Sequence, residues 1–259
     1  MHDVKPIEVN GDIILSWATT VVANISNKDS FDYHCNIDQP EVIEKCYKAH
    51  RKTLLHDFIE SVVCENITYI MEKHFEIEAI EEMQTTMDSM GIAYTKVDMD
   101  FEAVDYSEVE KYADVMQEEF NDKALPQLTE AIFTILFNDK NALYLFNKNL
   151  QRMIKNLKKD DYPEQLKDDG YLNRTNPPTW MKRGVFNRDK GVCQDCGANL
   201  DRVWKNDKIE NYDHIIPLRQ GGTNDPTNFQ LMCEHCNKAK RDRSETFRNS
   251  IWPYWGNEE

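Results

Sequence analysis

The chain lacks any apolar run of about 18 residues, the shortest that reads as a membrane-spanning helix. Residues 13–25 come nearest, and Ser16, Thr19, Thr20 and Asn24 interrupt them. The opening Met1-His2-Asp3 has no basic patch ahead of an apolar stretch, so no secretory leader is read there. No membrane partner is therefore expected, and the expected location is cytoplasmic. Internal repeats and low-complexity segments are also missing, which argues against repeat arrays and disordered tracts. A further shortage is positive charge: 31 Lys and Arg stand against 46 Asp and Glu, a net charge of −15.

That deficit is unevenly placed. Residues 171–259 hold 14 basic and 12 acidic side chains, whereas residues 1–170 hold 17 and 34. The C-terminal third is thus weakly basic and nearly all the excess acid lies ahead of it. A strongly acidic region repels nucleic acid. It reads as a surface for a protein partner, as a restraint on its neighbour, or as a plain solvated face.

Seven cysteines include two C-x-x-C pairs, Cys193/Cys196 and Cys233/Cys236, separated by 36 residues. In a reducing compartment such pairs are metal ligands rather than disulfides. Each turn presents two thiolates, and two turns close a tetrahedral site with no open position, so the zinc is expected to be structural. Gly197 suits the tight turn of the first knuckle. Metal binding contributes on the order of 10 kcal/mol to the folding of small zinc modules, which bury little core. Cys35, Cys46 and Cys64 are scattered among apolar positions and read as buried thiols.

Residues 1–160 are expected to form a mainly α-helical acidic domain with a regulatory or docking role. Apolar residues from Val42 through Met71 recur with the spacing of one face of a long helix, with Asp38 and Pro40 as start signals and Gly91 ending the following stretch. A second pattern runs through Leu143, Phe146, Leu150, Met153, Ile154 and Leu157, and residues 131–137 are apolar nearly all round. Residues 161–178 are expected to be a linker, because a mixed-charge run with Pro163 leads to Asn176-Pro177-Pro178. Residues 179–259 then form a small α+β domain opened by a short helix over 180–189, capped by Thr179.

Between the cysteine pairs runs Tyr212-Asp213-His214-Ile215-Ile216-Pro217-Leu218-Arg219-Gln220-Gly221-Gly222-Thr223-Asn224, then Asn228, then Leu231-Met232-Cys233. After the second pair come Asn237, Lys238 and Lys240. This arrangement resembles the HNH endonuclease family in its form with two zinc knuckles. The carrying features are an acidic residue before a histidine, a following proline, a Gly-Gly loop, an asparagine, the second knuckle, and an Asn with a Lys three residues on. The resemblance covers residues 180–243 and implies a zinc-stapled ββα-metal fold acting as a metal-dependent DNA endonuclease, of the kind used in restriction or anti-phage defence. It implies that Asn237 offers a carbonyl oxygen to a catalytic divalent metal. It also implies that Asn228 braces the loop and orients the histidine.

The chemistry follows from residue types. A neutral imidazole suits removal of a proton from water, so His214 is the expected general base. Mg²⁺ or Mn²⁺ would neutralise the scissile phosphate and the departing oxygen, and a hard cation wants oxygen ligands such as Asp213. Neighbouring strand residues point to opposite faces, so Asp213 and His214 serve one site only if the chain twists or bulges there. Lys238, Lys240, Arg241 and Arg243 on the last helix, with Arg219, are the expected phosphate contacts to DNA. The alternative is a non-catalytic zinc module that binds nucleic acid or a partner protein. A rival site, Arg51-x4-His56, matches a short R-x4–6-H motif of helical ribonucleases, and chance matches to so short a pattern are common.

Overall fold

Polar side chains start the helices. Asn27 accepts from the backbone N–H groups of Asp29 and Ser30 to open α2, Asp105 accepts from Ser107 to open α6, and Asp139 accepts from Asn141 and Ala142 to open α8. The computed structural model describes residues 11–73, 76–97, 101, 104–200 and 210–240. Its elements are α1 (Gly11–Ser26), α2 (Lys28–His34), α3 (Pro40–Tyr47), α4 (Leu54–Glu72), α5 (Glu76–Ser89), α6 (Tyr106–Glu119), α7 (Leu125–Asn138) and α8 (Lys140–Ile154). A hairpin follows, β1 (Leu166–Asp168) and β2 (Tyr171–Leu172), then α9 (Thr179–Arg188), β3 (Glu210–His214), β4 (Phe229–Cys233) and α10 (Glu234–Lys240). The fold is mainly α-helical, with two small two-stranded sheets toward the C-terminus. No helix among the described residues is long and apolar enough to cross a membrane.

The chain divides into two compact units: residues 1–35 with 55–136, and residues 36–54 with 137–259. The described elements of the first unit are all helices. Trp17, Val21, Phe31, Phe58, Ile80 and Phe120 are among its buried side chains, and Phe31 stacks on Phe58 at 5.0 Å. α5 ends at Ser89, and Gly91, at φ +65°, turns the chain so that the Ile92 N–H reaches Met87 O at 2.9 Å.

The second unit departs from the expected boundary at residues 161–178. That segment contains the β1–β2 hairpin, and α8 belongs to this unit through polar side chains. Asn147 Nδ2 donates to Thr227 Oγ1 (3.1 Å), and Gln151 Nε2 donates to Gln220 O (2.7 Å). A periodicity reading assigns α8 to the helical region because it counts apolar positions and is blind to where Asn147 and Gln151 find partners. The single long helix expected from Val42 is likewise broken, into α3 and α4. The carbonyls of Cys46 and Tyr47 leave the helical ladder to accept from Asn224, and Asp225 Oδ2 accepts from the Leu54 N–H (3.0 Å) at the start of α4. α9 begins at Thr179 itself, with Pro178 in the capping position.

β3 and β4 pair antiparallel in unbroken register from Glu210↔Cys233 to His214↔Phe229, and α10 follows β4 directly. This is a ββα arrangement. Two small apolar groups flank the hairpin. One joins Leu200, Leu231 and Met232 to Cys193 and Cys236, and the other joins Met181 and Val185 to Phe229. Between them the Asp189 carboxylate accepts from Arg188 Nε (2.9 Å) and from the Leu231 N–H (2.7 Å), tying the end of α9 to β4.

Candidate active site and metal centre

At one end of the hairpin the four paired cysteines converge. Their Sγ atoms all lie within 4.8 Å of one another, with Cys196 and Cys233 at 3.9 Å. A tetrahedron with Zn–S bonds of about 2.3 Å needs S···S separations of about 3.8 Å, so the cluster fits a structural zinc. Local turns set it up: Gly197, at φ +74°, donates its N–H to Cys193 O (2.9 Å), and the Cys236 N–H points to Cys233 Sγ (3.4 Å). Burial raises the Cys193 thiol pKa, but N–H groups of Cys196, Cys233 and Asp195 outweigh it and favour the thiolate. His235, between two of the cysteines, is exposed and outside the cluster. Of the scattered cysteines, Cys35 and Cys46 are buried and Cys64 is half-buried.

At the other end of the hairpin Asp213 and His214 both line a polar cavity of about 350 Å³, together with Tyr171, Arg174, Pro217, Leu218 and Arg219. They share it without a bulge, since the register is regular and His214 is the last strand residue. The loop behind them is built from buried polar groups: Thr223, Asn224, Asp225, Thr227 and Asn228 are each at most 1% exposed. Asn228 satisfies four backbone groups. Its Oδ1 accepts from Ile216 N (2.9 Å), its Nδ2 donates to Ile216 O (3.0 Å) and Thr223 O (2.9 Å), and its own carbonyl accepts from Ile215 N. Gly222 has no room for a side chain there, because a Cβ would sit 1.8 Å from Ile216 O.

The histidine is held by a residue to which the sequence assigned no role. Asn224 Nδ2 donates to Tyr47 O (2.9 Å) and Asn173 O (2.8 Å), so its Oδ1 is the atom facing His214 Nε2 at 3.2 Å. An amide oxygen only accepts, so Nε2 carries the ring proton and Nδ1 keeps its lone pair. Phe229 packs on the ring at 4.2 Å. Burial, then the charges of Arg174 and Lys240, push the His214 pKa down to about 3, against the raising effect of Asn224, so the imidazole is neutral. No sequence spacing signals Asn224 or Arg174: the carbonyls that hold Asn224 belong to Tyr47 and Asn173, and Arg174 lies ahead of the first zinc knuckle.

The remaining candidates are dispersed. Lys240, expected at a phosphate, is buried: its Nζ donates to an Asp213 carboxylate oxygen and to His214 O. α10 follows β4 without a linker, which turns this face of the helix inward against β3. Asn237 is half-buried on α10 and is not part of the cavity wall, and Lys238 pairs with Glu234 on the exposed face. Arg241 and Arg243 lie outside the described residues. The rival pair does not share a helix. Arg51 precedes α4 and lies over the Trp180 ring (5.1 Å), whereas His56, within α4, is buried against Phe133 with ring centroids 3.7 Å apart.

A family model described as HNH endonuclease matches residues 193–243. No curated protein and no solved structure matches the chain. The matched stretch holds both knuckles, the Asp213–His214 pair, Asn224, Asn228 and Asn237, and it points to a nuclease-type function for this part of the chain.

Proposed function

We propose that the chain is a divalent-metal-dependent DNA endonuclease whose general base is His214. The observation that carries this reading is the anchoring of His214 Nε2 by Asn224, which leaves Nδ1 as a fixed proton acceptor on a residue that shares a polar cavity with Asp213. In the proposed step Nδ1 takes a proton from water as the oxygen forms its bond to phosphorus. The bond from phosphorus to the 3′ oxygen then breaks, and that oxygen takes a proton from solvent, leaving a 3′ hydroxyl and a 5′ phosphate. Asn224 keeps the ring in the correct tautomer, and Phe229 and Asn228 keep it in place. Arg219 and Lys238 contact phosphate. Lys240 does not: it positions the Asp213 carboxylate from the inner side.

The donor set suits a hard cation at Asp213, a carboxylate on the cavity wall. Asp213 would hold Mg²⁺ or Mn²⁺, which when bound supplies charge neutralisation at the phosphate and the leaving oxygen; Asn237, on α10 and off the cavity wall, is the proposed second ligand. Zinc in the cysteine cluster is structural in this reading. The acidic helical region serves as a regulatory or docking surface, a role supported by the charge split alone.

One observation favours a second reading, a zinc module that binds without cutting: the Asp213 carboxylate is already neutralised by Lys240. Incubation of supercoiled plasmid with the full chain and Mg²⁺ or Mn²⁺ separates the two. Nicked, linear or smeared product that EDTA suppresses is expected of the endonuclease. Tight duplex binding with intact plasmid under every divalent ion tried would leave only the binding module.

A further inference from the structure

Arg174 lies outside the stretch matched by the family model, yet the chain fixes it at the cavity. The β1–β2 turn is set by Gly170, at φ +63°, whose N–H donates to Leu157 O (2.9 Å). A Cβ at Gly170 would meet Lys155 O at 2.9 Å, so the turn has one workable residue. Beyond β2, Asn173 is held at three points. Its N–H donates to Gln165 O (2.8 Å), its Nδ2 donates to Glu164 O (2.9 Å), and its carbonyl accepts from Asn224 Nδ2 (2.8 Å). The third of these is the side chain that holds His214. The hairpin and the histidine therefore share one hydrogen-bonded support, and Arg174 is the next residue along it.

The Arg174 side chain is exposed, lines the cavity with Asp213, His214 and Arg219, and pairs with none of the described residues. Among the described residues, Asp213 is the only carboxylate on that wall, and it is matched by Lys240. The Arg174 guanidinium thus faces a small polar cavity whose described carboxylate is already taken by Lys240. A guanidinium is a planar fork of donors that suits two oxygens of one phosphate.

We infer that Arg174 is a phosphate-contacting residue of this site, supplied by the β1–β2 hairpin from outside the HNH module, and that its guanidinium binds a non-bridging oxygen of the DNA backbone beside His214. The inference rests on the nuclease reading for the identity of the anion. Arg174 supplies its own phosphate contact, so its loss is felt in binding as well as in rate.

The test uses the full zinc-loaded chain and a labelled duplex oligonucleotide. Affinity is measured across salt concentrations in a His214→Ala background, which keeps the DNA intact. Arg174→Ala should weaken binding roughly tenfold and lower the slope of log affinity against log salt by about 0.9, the share of one phosphate contact. Arg174→Lys should keep that slope and lose part of the affinity, because the charge stays and the fork goes. Arg183→Ala, an equal charge loss at an exposed α9 position away from the cavity, should leave the slope alone. With His214 intact, Arg174→Ala should cut kcat/KM on the order of 10²-fold. An unchanged slope and affinity in Arg174→Ala overturns the inference, and plasmid cleavage at the parental rate would then leave the nuclease reading standing. A lowered slope in a chain that cuts nothing upholds Arg174 and overturns the nuclease reading. Failure to bind DNA at all overturns both.

Discussion

The two ends of one short hairpin differ in how they are built. At Cys233 the β3–β4 pair ends in a four-cysteine cluster whose members come from two local turns. At His214 the same pair ends in a cavity whose parts come from across the second unit: the carbonyls of Tyr47 and Asn173, the side chain of Asn224, and Arg174. The first end is closed, with all four metal positions filled by protein. The second is open, with the neutral His214 imidazole and the exposed Arg174 side chain on its wall. A closed metal site needs only turns of the right length, whereas an open site must hold unsatisfied groups in place with distant support.

The sharpest way to break this comparison is to remove the closed end. Cys236→Ser should abolish zinc binding and cost on the order of 10 kcal/mol of local stability, unfolding the knuckle and hairpin while the first unit keeps its helicity. Metal analysis of the native chain should give about one zinc per molecule for one such site. A zinc-free chain whose hairpin amides stay protected from hydrogen exchange would show that the cluster is incidental.

That contrast also governs what could be read in the sequence. The zinc cysteines are legible from their own spacing, and the family resemblance carried by the motif between them implies the ββα order and a bracing role for Asn228. The break between α3 and α4 was not legible, because it exists to turn the Cys46 and Tyr47 carbonyls toward a loop more than 170 residues away. The same is true of the hairpin inside residues 161–178, where Gly170 and Asn173 look like ordinary turn residues until their partners are known. The inward placement of Lys240 is hidden from the sequence for a related reason. Helical spacing puts it on the same face as Asn237, but only the contact with β3 shows that this position points inward.

The next largest effect should come from that lysine. Lys240 and Asp213 form a largely buried pair, with side-chain exposures of 2% and 16%. Losing one member of such a pair typically costs about 3–5 kcal/mol. Lys240→Ala should therefore lower the denaturation midpoint and leave the salt slope of DNA binding unchanged. A flattened slope with unchanged stability would return Lys240 to the phosphate.

Asn228→Ala should come third, at about 2–3 kcal/mol, because it strands buried backbone groups of Ile216 and Thr223. Thermal unfolding should show the loss, and Asn228→Asp should recover only the part due to the Ile216 N–H. Equal midpoints for wild type and Asn228→Ala would mean that the loop is held by Asn147 and Asp225 without it.

The smallest effect is expected at the rival site. Arg51 makes an exposed contact over Trp180, worth about 0.5–1 kcal/mol. Arg51→Ala should leave plasmid cleavage intact and reveal no ribonuclease activity in the parent chain. Ribonuclease activity lost in this variant would place chemistry on the helical side as well.

The measurement that bears most directly on the whole account is the plasmid cleavage rate of His214→Ala against wild type, with zinc content and circular dichroism matched. Removing a general base should lower the rate by about 10²–10⁴-fold, with duplex affinity little changed. A folded, zinc-loaded His214→Ala chain that cuts as fast as wild type would contradict the assignment of this cavity as the active site.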